Sequence, residues 1–170
     1  MTHRSLGVVR REQTFVGSYR HVVDAQGRIQ LPSTMRRAIG PESQETLIIT
    51  RGLDGCLTAY PLDEWGRLRD QWVQAVSDTS AREARHLIRL ITAQAAEARI
   101  DAQGRIVVPA GLLRAAGIRE EALIVGAFDR IELWDPVRFE QATEAVEDAF
   151  DQSVGNLIVF RPAQQAGSDG

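Results

Sequence analysis

The residues Asp-Ala-Gln-Gly-Arg-Ile-Gln-Leu-Pro begin at Asp24, and Asp-Ala-Gln-Gly-Arg-Ile-Val-Val-Pro begins at Asp101. A nine-residue stretch written twice, with Asp, Gly, Arg and Pro at fixed offsets, constrains the fold more tightly than any bulk property of the chain. Extending the match gives a unit of roughly 45 residues, the length at which repeats mark one supersecondary module. The paired landmarks are Asp24 and Asp101, Gly27 and Gly104, Arg28 and Arg105, and Pro32 and Pro109. After them come apolar runs starting at Leu47 and Leu123 and an aromatic at Tyr60 or Trp134.

Each copy reads as strand, turn, strand, short helix, strand, turn, strand. In the first copy, residues 19–23 and 28–32 are β-rich runs separated by a turn. Its length and its glycine suit a hairpin in which Gly27 takes positive φ and Asp24 accepts backbone N–H bonds. Gly104 and Asp101 repeat that arrangement as turn-forming residues. Pro32 opens a short helix that Gly40 is expected to end, as Pro109 and Gly117 do in the second copy. A second hairpin follows in each copy. Such a unit is half of a small β-barrel with too little core to stand alone, so the copies should pair.

Between the copies, Trp65, Leu68, Trp72, Val73 and Val76 fall at helical spacing, and Ala84, Leu87, Ile88, Ile91 and Ala95 do so again. Ser80 and Glu83 form a capping box at the start of the second helix. The predicted fold is therefore α+β, mainly β: two pseudo-repeated β-barrel units joined by an antiparallel helix pair, with a C-terminal helix. The boundaries read as a tail over 1–14, a first domain over 15–64 and linker helices over 65–93. A second domain over 94–138, a C-terminal helix over 139–152 and a tail over 153–170 complete the chain. Trp65 and Trp72 read as packing residues.

Composition narrows the function. An apolar fraction of 44% supports a packed core, and no run of about 18 apolar residues is present, so a soluble, unexported, cytoplasmic protein is expected. The single Cys56 has no partner for a disulfide and no ligand spacing for zinc, and reads as a buried, inert thiol. The net charge of −3 conceals a gradient: residues 1–40 carry seven Arg against two acids, and the remaining 130 carry 13 Arg against 21 acids. Positive charge thus gathers around the first repeat. All 20 basic residues are Arg, which suits bidentate recognition of phosphate or guanine but is equally what a genome-wide composition bias produces.

A tight hairpin accounts for Asp and Gly in the repeated turn. It leaves Arg unexplained. Arg28 is either a surface charge paired with Asp24, or a guanidinium fork presented to phosphate or to a guanine edge. Its recurrence as Arg105 favours the second reading.

The pattern Phe15, Gly17, Tyr19, His21, Asp24, Gly27, Arg28 and Pro32, followed by residues 60–65, the linker helices, the second turn and residues 123–135, resembles the MraZ family. The match spans about 15 to 140 and is specific in combination, although an Asp-x-x-Gly-Arg turn alone is weak. The resemblance implies two tandem SpoVT/AbrB-like swapped-hairpin units and a DNA-binding transcriptional regulator, a repressor acting at the nucleoid. It further implies closed rings of subunits that bind short direct repeats in the promoter of a division and cell-wall gene cluster. The family's turn arginine carries over to Arg28 and, through the second copy, to Arg105. Gln26 and Thr34 stand where relatives commonly carry Lys, and Arg20, Arg36 and Arg37 are the charges placed to compensate. His21, close to the Arg28 turn, completes the candidate DNA contacts.

Two other classes compete. An enzyme is disfavoured because His3, His21 and His86 are scattered and no nucleophile, phosphate-loop or metal-spacing motif occurs, so no cofactor or metal is expected. An antitoxin-like module would need a partner-binding tail, and a ring-forming scaffold without nucleic acid would draw on the acidic remainder of the chain.

Overall fold

The computed structural model describes residues 14–77 and 82–159. The chain divides into a unit ending at Pro136 and a second beginning at Val137. In the first unit, β1 (Ser18–Val22) leads through the Asp24 turn to β2 (Arg28–Gln30) and α1 (Ser33–Ala38). Next come β3 (Thr46–Arg51), β4 (Leu57–Pro61), α2 (Leu62–Ser77) and α3 (Arg82–Ala93). The second copy supplies β5 (Ala96–Arg99), β6 (Arg105–Val107), α4 (Ala110–Ala116), β7 (Glu121–Ala127) and β8 (Arg130–Trp134).

The later hairpin of each copy forms as its local sequence dictates: β3 pairs antiparallel with β4, and β7 with β8. The earlier pair behaves differently. β1 and β2 share only the bridge between Val23 and Ile29. β1 instead pairs with β7 of the second copy, β2 with β6, and β5 with β3. The result is a six-stranded antiparallel sheet in the order β1-β7-β8-β4-β3-β5 and a two-stranded ribbon of β2 and β6. Strands from residues 15–64 and strands from residues 94–136 are therefore hydrogen-bonded to one another within one unit. The driving term is the shared core: Ile29, Leu31, Leu47 and Leu57 from one copy and Ile106, Val108, Ile124 and Leu133 from the other are all essentially solvent-free. Each such side chain contributes about 1.5–3 kcal/mol by leaving water, and neither copy alone can cover its own set.

Two local expectations change here. Gly40 does not end α1 in a left-handed conformation: the helix stops at Ala38, Ile39 is already extended, and Gly40 has φ −72°. The chain runs on into a short turn over Pro41–Ser43 and reverses at Gln44 and Glu45, whose φ values are 50° and 54°. Gly117 does cap α4, at φ 71°. The linker region holds its two helices, but α2 begins at Leu62, with Asp63 and Glu64 in the first turn, where acidic groups complement the helix dipole. Trp65 packs between Tyr60 and Trp72, with ring centroids 6.0 and 5.9 Å apart.

α5 (Pro136–Glu147) starts on a proline, the last residue of the first unit, which suits the first helical position, and α6 (Phe150–Val159) follows in the second unit. The single helix expected over 139–152 is thus two, and part of the stretch assigned to a tail is helical, because Val154, Leu157 and Ile158 recur at helical spacing behind an acidic first turn. Ser80 of the expected capping box, His3, Arg4, Arg10, Arg11 and the segment 160–170 lie outside the described residues. No helix among the described residues is long and apolar enough to cross a membrane.

Candidate nucleic-acid interface

The two repeated turns are built alike. Asp24 Oδ1 accepts the backbone N–H groups of Gln26 at 2.9 Å and Arg28 at 2.8 Å, and Gly27 donates to the Asp24 carbonyl at 3.0 Å. Asp101 Oδ1 accepts from Gln103 at 3.0 Å and Arg105 at 2.8 Å, and Gly104 donates to the Asp101 carbonyl at 2.9 Å. Gly27 and Gly104 sit at φ 76° and 79°, a region costing an L-residue about 1–2 kcal/mol. Both turns are thus closed by Asp and released by Gly, as the sequence predicts.

The strands that leave the turns meet. In the β2–β6 ribbon Arg28 lies opposite Val107, Ile29 opposite Ile106, and Gln30 opposite Arg105. Opposed residues share a face and alternate residues return to it. Ile29 and Ile106 consequently point inward, both fully buried, and Arg28, Gln30, Arg105 and Val107 form the outer face. The two arginines are diagonal neighbours on that face, a relation that places backbones about 7–8 Å apart.

Their local partners differ. Arg28 Nη1 stands 3.7 Å from Asp24 Oδ2, within ion-pair range but beyond a hydrogen bond. Arg105 donates from Nε to Asp101 Oδ2 at 2.9 Å, and its Nη2 lies 3.4 Å from Gln103 Oε1. The Arg105 N–H, followed by the Arg105 guanidinium, holds the Asp101 carboxyl below its ordinary range. Of the two readings of the turn arginine, pairing with its own Asp is present in both copies, and both guanidinium-bearing side chains are partly exposed.

The other candidate residues are distributed more widely. Arg20 forms an ion pair with Glu121 of β7 at 3.1 Å, joining the two copies. His21 is half-buried and, by strand alternation, faces the side of β1 opposite Arg20, so the two do not share one surface. Tyr19 shares the face of His21 and makes a hydrogen bond of 3.2 Å with Thr34 at the start of α1. Arg37 is exposed in the last turn of α1. Arg36 is half-buried and lies across the second turn, where a Cβ added to Gly104 would fall 2.5 Å from its Cζ. Sequence reading overlooked Gln30, whose side chain donates to the carbonyls of Gln103 at 2.9 Å and Gly104 at 3.2 Å. Its signal was available only at second hand, as the residue two along from Arg28.

Among the described residues no group of three His, Cys, Asp or Glu side chains is placed to hold a metal. Cys56 is buried, and burial pushes its thiol up to about 12, so it carries no thiolate near neutral pH.

The chain thus carries a duplicated strand–turn–strand module, two Asp-closed turns and an arginine-bearing ribbon shared by both copies. Across residues 14–88 and 91–160 it matches the model of the family described as "MraZ protein, putative antitoxin-like". It is 36% identical over 146 residues, 86% of this chain and 98% of the relative, to the protein named transcriptional regulator MraZ from Pediococcus pentosaceus. Relatives of the same name from Heliobacterium modesticaldum and Ligilactobacillus salivarius match to the same extent. The chain belongs to the MraZ family.

Proposed function

We propose that this protein is a sequence-specific DNA-binding transcriptional repressor that inserts the outer face of its β2–β6 ribbon into the major groove. The observation that carries the reading is the ribbon itself. A major groove admits a two-stranded ribbon, and guanidinium groups on its face suit the O6 and N7 edge of guanine. Arg28, loosely held by Asp24, is the base-reading residue. Arg20, Arg37 and the basic excess of residues 1–40 supply phosphate contacts, which position the protein without reading sequence.

One ribbon makes few contacts and binds weakly. Several on a closed homo-oligomeric ring turn later contacts into intramolecular ones and raise avidity where DNA repeats match subunit spacing. Val73, Leu87 and Leu90 of α2 and α3 are each more than half exposed, and give the chain apolar surface for that self-association. The DNA is the set of short direct repeats upstream of the division and cell-wall gene cluster, and the protein acts in the cytoplasm at the nucleoid. That its curated relatives are named transcriptional regulators supports the reading.

Footprinting of the DNA upstream of the protein's own gene tests it. Protection at regularly spaced repeats is expected. Uniform weak protection, indistinguishable from random DNA, would overturn sequence-specific repression and favour a ring that serves only as a scaffold.

A further inference from the structure

The two turns are equal in sequence and unequal in support. Turn 1, residues 24–28, receives from the second copy one hydrogen bond, Val108 N–H to the Gly27 carbonyl at 2.9 Å, and the methyl contact of Leu113 beside Gly27. Turn 2, residues 101–105, receives the equivalent bond, Leu31 N–H to the Gly104 carbonyl at 3.0 Å. It also receives the Gln30 amide on the carbonyls of Gln103 and Gly104, and the Arg36 guanidinium laid against Gly104. Aligning the copies on Pro32 and Pro109 shows the origin of the difference: Gln30 corresponds to Val107, and Arg36 to Leu113. Val107 has no donor to offer Gln26, and Leu113 offers turn 1 only van der Waals contact.

Arg36 is placed oddly for a free surface charge. Its Nε is buried and has no acceptor among the described residues, while its guanidinium atoms lie against Gly104 of the turn. Arg105 is also paired more closely with Asp101 and Gln103 than Arg28 is with Asp24.

We propose that Gln30 and Arg36 are positioning residues that lock the second turn, so that the repeats divide their labour. Turn 1 adapts and lets Arg28 leave Asp24 for DNA, whereas turn 2 is a preformed abutment that sets the register of the ribbon. The division of labour on DNA rests on the function proposed above. The lock itself does not.

Amide hydrogen exchange tests the lock without DNA. In the full chain carrying Gln30→Val and Arg36→Leu, the residues that the other copy uses at those positions, exchange at Gln103 and Arg105 is expected to rise about tenfold or more, with Gln26 and Arg28 unchanged. Unchanged exchange in turn 2, or an equal rise in both turns, would overturn the lock. If this double variant fails to fold, Gln30→Val alone is read in the same way.

The DNA readout separates positioning from direct contact. A phosphate-contacting Arg36 predicts that Arg36→Leu weakens all sequences alike and lowers the salt slope by about one per contact. The lock predicts instead that the ratio of specific to random binding falls while the salt slope holds. A lowered slope with an unchanged ratio overturns the positioning role. If the wild type shows no specific binding, the proposed function fails, and the exchange result still decides the lock.

Discussion

At Gly27 an added Cβ would fall 2.5 Å from the Val108 carbonyl oxygen, a backbone atom, whereas at Gly104 the obstacle is the end of the Arg36 side chain, which can yield without a backbone shift but only by giving up its place on turn 2. Both positions carry the same positive-φ cost of about 1–2 kcal/mol for Ala. Gly27→Ala should therefore destabilise the protein more than Gly104→Ala, by a further margin of about 1–3 kcal/mol for the forced backbone shift. Thermal melts of the two variants check the order, and equal melting temperatures would show that the turn-1 contact relaxes freely. At this scale the roles of Asp24, Gly27, Asp101 and Gly104 were legible in the sequence, because a turn is decided by residues within four positions of one another. The placements of Gln30 and Arg36 were not. Each acts on a turn more than 65 residues away, and nothing in its own neighbourhood encodes the meeting.

Among the elements, the β2–β6 ribbon links fold and site: its inner face of Ile29 and Ile106 anchors the outer face of Arg28, Gln30, Arg105 and Val107. Ile29→Ala or Ile106→Ala removes a side chain with no solvent exposure and should cost about 2–5 kcal/mol, measured by denaturant unfolding. A loss below 1 kcal/mol would mean the ribbon is not seated on the core as described. The strands, the helices up to the second copy's short helix, and the second hairpin of each copy followed from periodicity and turn residues, whereas the break between α5 and α6 did not. The partner of each strand did not, because pairing is settled by which arrangement buries the joint core, and a three-residue strand carries too little pattern to specify its neighbour. Gly40 failed as a helix terminator for a related reason: the left-handed reversal is taken up at Gln44 and Glu45, after a short turn that the local sequence does not announce. On α3, the expected apolar face is only partly covered, with Ile88 and Ile91 half-buried and Leu87 58% exposed.

For the whole molecule, interleaving makes the repeats mutually dependent. A fragment of residues 14–77 loses the partners of β1, β2 and the outer edge of β3 at once, and should show no cooperative melt by circular dichroism. Cooperative folding of that fragment would mean the copy is an independent domain after all. The same interdependence bears on the proposed function, since the β2–β6 ribbon exists only when both copies contribute a strand. Its central claim, that Arg28 on this ribbon reads sequence, is tested most directly by the affinity of wild type and Arg28→Ala for DNA upstream of the protein's own gene. Random DNA serves as competitor, at two salt concentrations. An exposed ion pair such as Arg28–Asp24 contributes only about 0–1 kcal/mol to stability, so the variant should fold and assemble normally. It should lose about 1–3 kcal/mol of discrimination for each guanine contact. Specific binding retained by Arg28→Ala would contradict the account and leave the repeated turn as a device for building the fold.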